Sequence, residues 1–165
     1  MGSGKTTVGR LLAKHLGWRF VDLDTQIEAR AGLSIPALFE RFGEPTFREM
    51  EQEALARALG ETAERSRALV LALGGGTLTR PQNLALLREH GAILIWLDCP
   101  MEELLARCAR MTNRPLFRDE AGFRALYEQR LPRYEQCEYR VESRVEPRRV
   151  VEQILALPIL ERVNA

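Results

Sequence analysis

The 165-residue chain carries 24 Lys plus Arg against 23 Asp plus Glu, and 45% of its residues are hydrophobic. That length and apolar content suit one domain, spanning 1–165, with a substantial core. The balanced charge excludes a field that would draw the whole molecule to nucleic acid or to an anionic membrane. No apolar run reaches the ~18 residues of a membrane span, and no charged-then-apolar leader is visible. Cys99, Cys108 and Cys137 are odd in number and form no C-x-x-C pair, so they are expected to be reduced thiols that pack as small apolar side chains. The expectation is a soluble cytoplasmic protein, acting as a monomer.

In chain order, Val8, Leu11, Leu12 and Leu16 fall at helical spacing and predict a helix over 6–16, stopped by Gly17. RFVDLD at 19–24 predicts a short strand that ends in acids. Residues 25–31 and 34–59 form a helical region, with Ser34 as a cap and an interruption at Gly43-Glu44-Pro45. ALVLAL at 68–73 and AILIWL at 92–97 are continuous apolar runs, as expected of parallel strands covered on both faces. Helices over 100–109 and 123–131, a strand over 139–142 and a helix over 148–157 complete an α/β pattern. The polar, basic stretch RMTNRPLFRDE at 110–120 is the candidate lid loop.

Several short patterns carry chemistry. GSGKT, from Gly2 to Thr6, is the second half of the phosphate-binding loop G-x-x-x-x-G-K-[ST], which normally follows a buried strand. There Gly2, Ser3, Gly4 and Thr7 would bring backbone N–H groups to phosphate oxygens. Lys5 would reach the β and γ phosphates, and the Thr6 hydroxyl would bind Mg²⁺. Taken alone, the same residues also read as a Gly-rich stretch before an ordinary helix. Asp22 and Asp24, two apart at a strand end, share one face at the carboxyl edge, or else sit as solvated acids in a turn. Arg48 and Glu51, three apart on a helix, form either a weak surface pair or an anion-gripping Arg whose rotamer Glu51 fixes. Gly74, Gly75 and Gly76 directly follow a buried strand and let the backbone approach a ligand closely. Arg114 lies in the lid candidate, and Arg130 is either a second carboxylate-binding Arg or a helix C-terminal cation. His15 and His90 read as surface residues complementing helix dipoles.

The succession GSGKT, VDLD, GEPTFREME, LALGGGT, NRPLF and EQRLPRYE resembles that of the shikimate kinases, from Gly2 to about Tyr134. The resemblance implies a P-loop kinase fold with a five-stranded parallel sheet ordered 2-3-1-4-5. It also implies transfer of the γ-phosphoryl group of ATP to the 3-hydroxyl of shikimate, a step towards chorismate and the aromatic amino acids. By matching positions, Lys5 and Thr6 look like the phosphate and Mg²⁺ residues, with Asp22 in the metal's outer shell. Asp24 looks like the residue that orients the acceptor hydroxyl. Arg48 and Arg130 look like a carboxylate clamp supported by Gly74, Gly75 and Gly76 within an acceptor-binding helical region at 25–59. Arg114 looks like the lid arginine, and Arg107, ranked ahead of Arg110, like the residue that stacks on adenine. In the implied sheet the strand ahead of the loop is central, so Met1 is expected to be an internal residue preceded by about ten residues of strand and loop. Two rival readings are a related kinase acting on gluconate or a nucleotide, and a nucleotide-binding remnant without catalysis.

Overall fold

The structure of the chain is a computed structural model that describes residues 2–65, 68–109 and 119–161. Its four described strands form two parallel pairs. β1 (Arg19–Asp22) pairs with β2 (Leu69–Ala72), and β3 (Ile95–Asp98) pairs with β4 (Tyr139–Glu142). Arg19 stands opposite Leu69 in the first pair, and Ile95 opposite Tyr139 in the second. Parallel pairs need crossover helices, and the chain supplies them: α1 (Lys5–Leu16) before β1, then α2 (Leu23–Ala31) and α3 (Ile35–Arg65) between β1 and β2. A 3₁₀ turn (Thr77–Thr79) and α4 (Pro81–Glu89) connect β2 to β3. α5 (Met101–Ala109) and α6 (Glu120–Tyr134) precede β4, and α7 (Pro147–Leu155) and α8 (Pro158–Glu161) follow it. Among the described residues, no helix is long and apolar enough to cross a membrane.

Local chemistry explains the helix ends. Gly4 and Gly17 both adopt left-handed backbone, and the Gly17 N–H closes the last turn of α1 on Ala13 O. Asp22 caps α2 by accepting the Thr25 N–H, and Asp119 caps α6 by accepting the Gly122 N–H. Pro81 and Pro147 open α4 and α7, where a missing N–H costs nothing.

The core is divided in the same way as the sheet. Around β1 and β2, Leu23, Ile27, Leu38, Phe47 and Leu55 form one cluster built mainly from α2 and α3. Around β3 and β4, Leu97, Val141, Val150 and Ile154 pack with Val8 and Leu12 of α1. A smaller cluster of Cys99, Leu104, Cys108 and Phe123 ties α5 to α6. Cys99 and Cys108 are buried, Cys137 is half-buried, and all three are free thiols.

Three elements differ from their sequence expectations. The first strand stops at Asp22, because its carboxylate caps the following helix; Leu23 and Asp24 are therefore already helical. The interrupted helical region is one run to Arg65, broken only at Gly43 (φ 78°, ψ 168°) ahead of Pro45. α4 has an N-terminal Pro81 and buried Leu84 and Leu87, a short pattern whose bounds sequence reasoning did not set. The lid candidate, with Arg110 and Arg114, lies outside the described residues apart from its end at 119–120.

Candidate active site

The GSGKT stretch folds as a loop that runs straight into a helix. Gly2 and Gly4 have φ of 72° and 86°, values that only glycine reaches without strain. Gly2 and Ser3 are buried, Lys5 is the first residue of α1, and the positive end of α1 lies directly behind the loop. The Thr6 hydroxyl donates to Asp22 Oδ2 at 2.6 Å, so the loop meets the carboxyl end of β1. Arg107, from α5, reaches the loop from the other sheet. Its guanidinium donates to Gly2 O at 3.2 Å, to Ser143 O at 3.4 Å and to Glu103 Oε2 at 2.6 Å.

Across from the loop, the carboxyl end of β2 meets α2, α3 and α6. Arg48 is 8% exposed and Glu51 1% exposed, which separates their pair from an ordinary surface ion pair. Arg48 Nη1 donates to Glu51 Oε2 at 2.9 Å, and its Nε and Nη2 donate to Glu44 Oε1 at 3.2 and 2.9 Å. Burial works against the charge on Arg48, but the carboxylates of Glu51 and Glu44 outweigh it, and the pKa rises above the usual guanidinium value. The second Glu51 oxygen accepts the Thr77 hydroxyl at 2.7 Å, and the buried Asn83 amide donates to Thr77 O at 2.9 Å. Each oxygen of this buried carboxylate thus has a partner, as its desolvation requires.

The glycines after β2 are there because the space beside them is taken. A Cβ on Gly74 would lie 2.8 Å from Glu51 Oε1 and 2.9 Å from Asp24 Oδ1, and one on Gly76 would stand inside the Arg48 guanidinium, 2.6 Å from its Cζ. Gly75 is held from α6, where the Tyr134 hydroxyl donates to its carbonyl at 2.7 Å. Arg130, one turn earlier on α6, is 5% exposed and hydrogen-bonds the Tyr134 oxygen. Burial pushes the Tyr134 phenol up, and Arg130 partly opposes the shift. Two guanidinium groups, Asp24 and the glycine backbone therefore surround one region at the carboxyl edge of the β1–β2 pair, where ligands of open α/β sheets bind.

The residues singled out from the sequence thus fall into two neighbouring groups. Residues 2–7, Asp22 and Arg107 form one; Asp24, Arg48, residues 74–76 and Arg130 form the other. Arg114 lies outside the described residues. Sequence reasoning missed Thr77, Asn83 and Tyr134 as supports of the second group. Tyr134 stands four residues after Arg130 on a helix, a spacing that could have indicated it; Thr77 and Asn83 gave no such signal. Among the described residues, no three His, Cys, Asp or Glu side chains gather as a metal cage.

Comparison with known proteins shows the family. The family model described as shikimate kinase matches residues 1–157. The shikimate kinase of Synechococcus elongatus is 43% identical over 160 residues, covering 94% of this chain and 80% of that protein. That of Persephonella marina is 39% identical, covering 94% and 92%. The structure of Acinetobacter baumannii shikimate kinase in complex with shikimate superposes with a TM-score of 0.89 at 39% identity, covering 98% of this chain and 89% of that one. With the family model, the relatives and the fold all matched over nearly the whole sequence, the chain belongs to the shikimate kinase family, ATP-dependent phosphotransferases of aromatic amino-acid biosynthesis.

Proposed function

We propose that the chain transfers the γ-phosphoryl group of ATP to the 3-hydroxyl of shikimate, giving shikimate 3-phosphate and ADP, as a single cytoplasmic domain. The observation that carries this reading is the buried Arg48–Glu51–Thr77 network beside Asp24, Gly74 and Arg130. A pocket with two guanidinium groups fits a small carboxylate-bearing acceptor, because a guanidinium fork matches a carboxylate in both charge and shape. Asp24 then orients the acceptor hydroxyl and takes its proton as the new P–O bond forms. The amides of residues 74–76 face the same ligand. Lys5 and the N–H groups of the loop hold the β and γ phosphates.

The residues at the loop suit a magnesium ion better than a metal that needs a protein cage. A hydroxyl and a carboxylate lie together at Thr6 and Asp22, and Mg²⁺ usually takes one or two protein ligands and completes its shell with water and substrate phosphates. Thr6 would hold the ion directly and Asp22 through water. Bound there, Mg²⁺ neutralises charge on the transferring phosphoryl group. The base of the nucleotide would lie by Arg107, between the loop and Ser143, and Arg114 is assigned by resemblance to close over the phosphates.

Phosphoryl transfer through a loose transition state depends mainly on positioning and charge stabilisation, and these side chains supply both. The test is ADP release with shikimate, gluconate and nucleoside monophosphates offered in turn. Turnover with shikimate alone is expected. Turnover with another acceptor and none with shikimate would overturn the reading, as would no turnover with any acceptor by a folded protein that binds ATP.

A further inference from the structure

Arg48 faces two carboxylates that are held very differently. The Glu51 side chain is 1% exposed and fixed at both ends: Arg48 Nη1 donates to one oxygen at 2.9 Å and the Thr77 hydroxyl to the other at 2.7 Å. The Glu44 side chain is 51% exposed, and Arg48 is its one hydrogen-bond partner among the described residues. Arg48 Nε and Nη2 both donate to the same Glu44 oxygen, Oε1, at 3.2 and 2.9 Å. A carboxylate that used this side of the guanidinium in full would set one oxygen against each nitrogen. Glu44 therefore covers the fork without filling it.

The local backbone suits a side chain that can let go. Gly43 breaks α3 with φ 78°, and Glu44 is the first residue beyond the break, ahead of Pro45. An acid at the start of a helical segment is favoured there by the unpaired N–H groups and the helix dipole, so Glu44 is stable in solvent without Arg48. Arg48 keeps its place if Glu44 departs. Glu51 holds Nη1, Gly76 lies against the guanidinium, and the Phe47 ring centroid is 5.3 Å from Cζ. Arg48 and Arg130 both act on the Tyr134 phenol, so the two guanidinium groups lie close to one hydroxyl.

Charge decides what happens when an anion enters. One guanidinium between two carboxylates leaves the trio net negative, and a third carboxylate brought to Arg48 meets a repulsion that a partly buried site screens poorly. Outward movement of Glu44 relieves it, because the incoming carboxylate takes over both the charge and the donors. We propose that Glu44 is a built-in stand-in for the acceptor's carboxylate, paired with Arg48 in the unliganded protein and displaced by a ligand that brings a carboxylate of its own. The assignment rests on the reading of Arg48 as the acceptor's carboxylate partner. A neutral ligand has nothing to exchange for the Glu44 pair. The exchange thus makes the pocket selective for acids, and it holds their affinity below what Arg48 alone would give.

The experiment is steady-state kinetics with shikimate titrated at saturating ATP, on the unaltered protein, Glu44→Gln, Arg48→Ala and the double variant. Glutamine keeps the oxygen that accepts from Arg48 and drops the charge. Glu44→Gln should lower KM for shikimate roughly three- to fivefold, the upper end of what a half-exposed ion pair is worth, with kcat and KM for ATP within about twofold. Calorimetric titration with shikimate in the absence of nucleotide should show the same gain. In the Arg48→Ala background the gain should vanish, so that Glu44→Gln changes kcat/KM by less than about twofold. An unchanged or raised KM in Glu44→Gln, with turnover intact in the unaltered protein, overturns the proposal alone and makes Glu44 one more support of the guanidinium. So does a gain that persists without Arg48. No binding or turnover of shikimate by the unaltered protein overturns the reading of the pocket, and this proposal with it.

Discussion

The β1–β2 edge, proposed to take the acceptor, and the loop, proposed to take the nucleotide, hold their groups by opposite means. At the β1–β2 edge, Arg48, Glu51 and Thr77 are 8%, 1% and 0% exposed, and hydrogen bonds of 2.9 and 2.7 Å lock them together. At the loop, Thr6 and Thr7 are exposed, the proposed phosphate donors are main-chain N–H groups and Lys5, and the Arg107–Glu103 pair is 35% and 38% exposed. A pocket that must select one small acceptor gains from side chains fixed before binding, since a misplaced charge loses its preorganised advantage. A nucleotide site can rely on backbone, because the phosphates it binds are the same in every turnover.

The largest effect that would sharpen this contrast is expected at Asp24. Asp24→Asn should lower kcat by roughly 10²- to 10⁴-fold, with ATP binding by calorimetry nearly unchanged; near-normal turnover would remove the proton-accepting role. Glu51→Ala comes next, because it strands a buried guanidinium and the Thr77 hydroxyl. Breaking a buried pair costs about 3–5 kcal/mol, so thermal unfolding should fall by roughly 10 °C, and a shift of only a degree or two would mean that the network bears little load. Gly76→Ala places a methyl in the Arg48 guanidinium and should raise KM for shikimate roughly tenfold through overpacking, while KM for ATP stays put. Tyr134→Phe removes the hydrogen bond to Gly75 O, worth about 0.5–1.5 kcal/mol, so a few-fold rise in KM for shikimate is expected. Arg124, paired with Glu102 and Glu120 on the exposed face of α6, should tolerate Ala with no measurable change in Tm or kinetics.

Much of this arrangement was legible in the sequence. The apolar runs located β2 and β3, and Gly17, Ser34 and Gly43 marked helix boundaries or breaks where the structure has them. Spacing brought Arg48 and Glu51 together, but whether that pair lay at the surface was undecidable, because burial depends on α6 and the 3₁₀ turn arriving from far along the chain. For the same reason Thr77 and Tyr134 passed unnoticed: their partners, Glu51 and Gly75, are 26 and 59 residues away. Asp24 was misplaced because the Asp22 cap that ends the strand is a tertiary choice between two plausible local structures.

The central claim is that acceptor recognition rests on the buried Arg48 network and nucleotide recognition does not. Steady-state kinetics of Arg48→Ala, with shikimate titrated at saturating ATP and ATP at saturating shikimate, tests it most directly. Loss of one partner of a buried charge pair costs about 2–5 kcal/mol, so KM for shikimate should rise roughly a hundredfold while KM for ATP remains nearly unchanged. An equal rise in both constants would contradict the account.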